Sequence, residues 1–388
     1  MDFEFSDEQN AIRDAVAKIC AQFPAAYWLE RDRDGQFPEE FVKAITEGGW
    51  LGIAMPEAYG GAGLGITEAA IVSHTITRSG AGFSGASAIH LNLFGPHPIV
   101  VFGTDEQKSR FLPRLIKGQD RACFGVTEPD AGLNTTKLQT QAVRDGDNYV
   151  INGRKMWTST AQTANKILII ARTTPLTDGV KPTESLTLFY TDLDREQIEV
   201  REIEKMGRKA VDSNALFIDD LTVSAADRIG EEGQGWKCLL HGLNPERILI
   251  AAESAGLGQA ALERAAQYAR ERVVFDRPIG QNQAIQHPLA VNWMELEAAY
   301  TMAFKAASRY DAGQPCGQEA NMAKYLAAEA GYAACQRAVL THGGMGYSKE
   351  FHVERYLRES MISMIAPVSQ EMIKSFIAEQ ALGQPKSY

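Results

Sequence analysis

No run of eighteen apolar residues occurs in the 388-residue chain, so no membrane-spanning helix is expected. Cysteine is scarce: five residues, at positions 20, 123, 238, 316 and 335, odd in number and irregularly spaced. They form neither a disulfide framework nor a Cys-x-x-Cys metal pair, which makes a reducing cytoplasm the expected compartment. The seven histidines give no His-Glu-x-x-His or other compact ligand pair, so no metal is expected and each reads as a packing or surface residue. A Gly-x-Ser-x-Gly elbow is missing, and no cysteine sits in a nucleophile signature. Excess positive charge is missing too. The net charge of -10 speaks against a nucleic-acid surface, which needs a basic patch. The opening residues, Met-Asp-Phe-Glu-Phe-Ser-Asp-Glu, are acidic, unlike a signal or transit peptide, and the final Pro-Lys-Ser-Tyr388 matches no receptor-read address.

What is present is an ordinary globular composition, 45% apolar and 23% charged, in a chain long enough for two or three domains. The hydrophobic period changes twice. Residues 1–120 read as an N-terminal α-helical domain. Ser6 with Gln9 forms a capping box, followed by Ile12, Val16, Ile19 and Phe23 at helical spacing, and Pro38-Glu-Glu opens a second helix. The glycine-rich loop 56–65 lacks a Gly-Lys-Ser/Thr ending and reads as a tight turn between helices. Residues 121–230 read as a middle β-domain, sandwich or barrel, with Asn152-Gly153 predicting a hairpin turn. Residues 231–388 return to the helical period. Two long alanine-rich stretches, the second ending at Gly343-Gly344, predict a C-terminal four-helix bundle. The fold class is therefore α+β and multidomain.

Residue chemistry alone leaves acid–base work by a carboxylate, with a bound cofactor performing any redox step. Four strings go further. "CFGVTEPDAG" (123–132), "GRKMWTST" (153–160), "RVVFDRPIGQNQAIQ" (272–286) and "THGGMGY" (341–347), in this order and separation, resemble the acyl-CoA dehydrogenase family over essentially the whole chain. The resemblance implies FAD, a homo-oligomer (tetramer or dimer of dimers), α,β-desaturation of an acyl-CoA thioester, and an electron-transfer flavoprotein as acceptor. It assigns Phe124, Val126, Thr127, Trp157 and Ser159 to the flavin, with Ser369 a further cofactor contact. Arg272, Phe275, Gln283, Gly343 and Gly344 are implied to reach the FAD of a neighbouring subunit. Two positions depart from the family's pattern. Leu133 replaces a serine often placed beside CoA, and Leu340 replaces a glutamine at the flavin edge.

The family's usual catalytic glutamate falls in a C-terminal segment that here reads Ala366-Pro367-Val368-Ser369, with Pro367 at the acid's position. Proline cannot accept a proton, and it removes an amide donor for the thioester carbonyl. Isovaleryl- and long-chain-type members carry the base on an earlier helix, directly before a CoA-contacting arginine. In this chain Glu246 precedes Arg247, within Gly242-Leu-Asn-Pro-Glu-Arg. Glu246 is thus the expected base, with Asn244, Arg247 and Leu133 as substrate contacts. The small Ala366 and rigid Pro367 suggest a branched or cyclic acyl group. Two alternatives stay open: an oxidase or redox-neutral elimination (desulfinase-like) on the same fold and flavin, and a non-enzymatic binding relative.

Overall fold

In the computed structural model, residues 4–177 and 179–387 are described, so residues 1–3 and Tyr388, which belong to the terminal strings read above, lie outside them. The first helical region comprises α1 (Asp7–Cys20), α2 (Ala25–Asp34), α3 (Glu39–Glu47), α4 (Ile66–Ile76), α5 (Gly82–Phe94), α6 (His97–Phe102) and α7 (Asp105–Ile116). Ser6 and Gln9 form the expected reciprocal capping box. The helix opened by Pro38 is the third, because the sequence reading missed α2, whose charged second half hides a stripe of two buried residues, Trp28 and Asp32. The glycine-rich loop is the turn into α4. Gly65 has no side chain to cap that helix, and the carboxylate of Asp311, far along the chain, accepts from Ile66 N (2.7 Å) and Thr67 N (2.8 Å) instead.

The middle region holds β1 (Ala122–Gly125), β2 (Gln141–Asp145), β3 (Asn148–Ser159), β4 (Lys166–Arg172), β5 (Leu186–Asp192), β6 (Ile198–Glu202), β7 (Ser213–Ser224) and β8 (Arg228–Ile229). They join in the order β6-β7-β3-β2-β4-β5-β8, with β1 parallel to β4. Asn152-Gly153 is not a hairpin turn. It lies inside β3 at a register shift against β7, and the hairpin closes earlier, where Asp145 pairs with Asn148. The glycine is required by a close approach: a Cβ there would stand 2.4 Å from Thr140 Oγ1.

The C-terminal region contains α8 (Gly235–Glu271), a two-stranded hairpin of β9 (Val273–Val274) and β10 (Arg277–Pro278), α9 (Gln283–Asp311), α10 (Gly317–His342), α11 (Val353–Ile365) and α12 (Gln370–Leu382). Helices α8 to α11 form the expected bundle. Small residues let α8 and α10 meet closely: a Cβ on Gly258 would stand 3.0 Å from Gly331 Cα. The chain break between α4 and α5 is tied to α11 by the fully buried Arg355–Glu359 pair (3.1 Å), which also binds Gly80 O and Ser84 Oγ. All five cysteines are buried and unpaired.

Candidate active site

Glu246 stands in the first half of α8, three residues beyond the turn that carries Leu243 and half-buried between α5 and the other bundle helices. Its carboxylate makes no hydrogen bond or ion pair with any described residue. Burial pushes its pKa up to about 7, with the neighbouring Glu253 adding to the rise and His90, Arg247 and Lys324 opposing it. A carboxyl poised near neutrality is what general-base work requires. The next residue, Arg247, donates to Asn244 Oδ1 at 3.0 Å, so the two expected substrate contacts touch each other one turn apart. Arg247 Nε is buried without a partner. Asn244 lines a cleft of about 1000 Å³ together with Trp236, Lys237 and His241 of α8, His97 of α6 and Tyr310 of α9. That volume is at the upper end of the ligand-pocket range.

The segment around Pro367 is the turn from α11 into α12, and it carries no acid. Fully buried Lys324 of α10 fixes it, donating to Val368 O (2.6 Å) and Gln370 Oε1 (3.0 Å). Burial, with Arg247 adding, draws the Lys324 pKa down to about 8, while Glu329 and Glu246 oppose the fall. The Ala366 N–H is used within α11, bonding Ile362 O at 2.9 Å. Val368 N–H has no acceptor among the described residues. Ser369 caps α12 by accepting from Met372 N at 3.2 Å, and with Leu133 it lines a second cleft of about 550 Å³.

Phe124, Val126 and Thr127 run along β1 and its continuation, which lies on β3. Lys155 Nζ donates to Val126 O (3.1 Å) and Met156 N to Thr127 O (2.8 Å). The buried Lys155–Glu128 pair (3.0 Å) ties "TEP" to "GRKMW". Trp157 has a left-handed backbone (φ 61°) at the β3 register shift and holds its indole 57% exposed. Its neighbour Thr158 has a buried hydroxyl with no partner, and the Ser159 hydroxyl accepts from Arg208. Exposed indole, the Ser159 hydroxyl and ordered backbone groups close together fit a planar, hydrogen-bonding ring such as an isoalloxazine. Phe124 also packs against Phe94 of α5 (5.9 Å between rings), which brings this surface to the helix that carries His90.

Arg272, Phe275, Gln283, Gly343 and Gly344 gather elsewhere. Tyr268 of α8 stacks on His342 of α10 at 4.4 Å, so the strings starting at Arg272 and Thr341 meet at one end of the bundle. Twenty-six residues of α8, about 39 Å, separate Arg272 from Glu246. The two sets therefore do not meet within one chain. Phe275 at this end is 92% exposed.

Sequence reasoning missed four charged residues near Glu246. Glu253, within the first alanine-rich stretch, is fully buried against His90 (2.7 Å). Lys324 and Arg208 complete the group. The available signals were an acid seven residues after Glu246, on the same helix face, and a histidine in the apolar run Ile89–Phe94.

A helix–β–helix chain with such a ring-binding surface and a carboxylate near neutral pKa defines, as a class, a flavin-dependent oxidoreductase. Models of the acyl-CoA dehydrogenase N-terminal, middle and C-terminal domains match residues 6–119, 123–221 and 233–382. Acyl-CoA dehydrogenase FadE12 of Mycobacterium tuberculosis is 36% identical, covering 99% of this chain and 98% of its own. Probable acyl-CoA dehydrogenase YngJ of Bacillus subtilis is 37% identical, covering 98% and 100%. A glutaryl-coenzyme A dehydrogenase–glutaryl-CoA complex superposes with a TM-score of 0.94 at 31% identity, covering 100% of this chain and 98% of that one. The chain belongs to the acyl-CoA dehydrogenase family, and its cofactor is FAD.

Proposed function

We propose that the protein desaturates an acyl-CoA thioester between Cα and Cβ, with Glu246 as the general base. The observation that carries this reading is an unpartnered carboxylate with pKa about 7, next to Arg247, whose partner Asn244 lines a large cleft, while the Pro367 turn has no acid. Bound FAD supplies a hydride acceptor for the β-hydrogen. Glu246 takes the α-proton at a carboxylate oxygen, and excluding water raises its basicity further. Arg247 and Asn244 hold the thioester's CoA portion. The Val368 N–H, in the turn that Lys324 anchors through Val368 O, is the backbone donor for the thioester carbonyl. Trp157 shields the ring, and Phe124, Val126, Thr127, Ser159 and Ser369 contact the cofactor.

Arg272, Phe275, Gln283, Gly343 and Gly344 reach the cofactor of a neighbouring subunit, so the active form is a homo-oligomer. Electrons leave to an electron-transfer flavoprotein. An anaerobic titration of wild type and Glu246→Gln with acyl-CoAs tests the reading: wild type bleaches the flavin and the variant does not. Equal bleaching by both removes Glu246 from the role. If neither bleaches although the thioesters bind, the reaction is a redox-neutral one on the same fold.

A further inference from the structure

Arg208 sits in the β6–β7 connection with a left-handed backbone (φ 55°), and its guanidinium crosses from the β region to the helices. Nη1 donates to Ser87 Oγ on α5 (3.2 Å), and Nη2 to Ser159 Oγ (3.0 Å) and Ser213 Oγ (3.3 Å). All three partners are neutral hydroxyls, and no ion pair to Arg208 forms among the described residues. Ser159 belongs to the ring-binding surface, so this cation stands beside that surface.

Ser87 and His90 lie one turn apart on α5 and share a face. His90 Nδ1 meets Glu253 Oε1 at 2.7 Å, while His90 Nε2 and Glu253 Oε2 are both buried with no partner. Two orphaned atoms in one buried pair are rare in a folded chain unless something completes them. Glu253 follows Glu246 by seven residues on the same face of α8, about 10 Å along the axis. Burial alone would depress the His90 pKa, but Glu253 raises it overall, which favours the charged imidazole, the form in which Nε2 is a donor. Glu359, Glu253 and Asp212 stand near enough to Arg208 to favour its charge, but none is hydrogen-bonded to it, so its guanidinium and His90 Nε2 are the groups here that lack an anionic acceptor.

We propose that Arg208, Ser87 and His90 form an acyl-end subsite for a carboxylate, making short ω-carboxyacyl-CoA thioesters the preferred substrates over plain alkanoyl-CoAs. A guanidinium fork matches a carboxylate in two hydrogen bonds, which no alkyl terminus can offer. This subsite deepens the desaturation reading and takes Glu246 as the base beside it.

The test is binding, read from the visible flavin spectrum of the FAD-loaded protein under anaerobic conditions. Glutaryl-CoA is compared with pentanoyl-CoA, and adipyl-CoA with hexanoyl-CoA, at equal carbon number. The titrations are made in Glu246→Gln, where no turnover interferes, and repeated in that background with Arg208→Gln and with Arg208→Lys. The expected result is tighter binding of one carboxylated thioester than of its alkyl match, by on the order of 30-fold. The ratio falls towards one in Arg208→Gln and to an intermediate value in Arg208→Lys. Equal or tighter binding of the alkyl thioesters overturns the subsite, as does a ratio that Arg208→Gln leaves unchanged. Should Arg208→Gln not fold, the Glu246→Gln ratio and that of Arg208→Lys decide. A failure of Glu246 as base shows as bleaching in Glu246→Gln, and the affinity ratio is then read by equilibrium dialysis of the thioesters, so the two failures stay distinguishable.

Discussion

Glu246 is held in a protonation balance by groups that reach it from three helices: His90 from α5, Glu253 and Arg247 from α8, and Lys324 from α10. Two consequences follow for pH. The base form accumulates as pH rises through about 7, so kcat/KM for the reductive step climbs through that range and then levels, and Glu246→Gln abolishes the limb. Stability runs the other way. The folded pKa lies above the ordinary 4.5, so between these values the native state binds the extra proton and stability falls as pH rises. Glu246→Gln should therefore unfold later than wild type above pH 7, by on the order of 2 kcal/mol. Thermal melts at pH 5 and pH 8 check this: the variants should differ more at pH 8. Glu246 could be picked out in the sequence because one motif position had lost its acid and another held one. His90, Glu253, Lys324 and Arg208 could not, since their meaning lies in partners drawn from different elements.

At the scale of elements, helix ends carry much of the organisation. Helix α4 begins at Gly65, which offers no capping side chain, and a Cβ there would stand 2.4 Å from Asp311 Oδ2. Asp311 is the last residue of α9, so one carboxylate caps a helix of the N-terminal region from the C-terminal bundle. Asp311→Ala removes an acceptor for two backbone amides and the Thr67 hydroxyl, and should cost about 2 kcal/mol. Denaturant unfolding measures it, and Asp311→Asn should lose less. The α1 capping box was readable because both halves lie within four residues. The α4 cap was not, because its acceptor comes from 245 residues away. The Asn152-Gly153 signal failed for a related reason. Asn-Gly favours a turn locally, but β3 pairs on both sides, and the glycine serves a close contact with Thr140 instead.

For the whole molecule, the helix–β–helix order was legible because the hydrophobic period itself changes along the chain. The division of labour between chains was legible only through the motif strings, since the physical argument needs the length of α8. About 39 Å of helix lies between Glu246 and Arg272. If the Arg272 end serves a neighbour's cofactor, chains defective at opposite ends should rescue each other. Co-expressed Glu246→Gln and Arg272→Ala chains, each inactive alone, should then recover about a quarter of wild-type activity by random pairing. Sedimentation should find no monomer in the wild type. The claim on which these readings depend is that Glu246 itself removes the α-proton. The most direct measurement is loss of label to water from an α-deuterated acyl-CoA, followed anaerobically in wild type and Glu246→Gln at pH 8. Wild type should release the label, and the variant should do so at least about 100-fold more slowly. Release at equal rates would contradict the account.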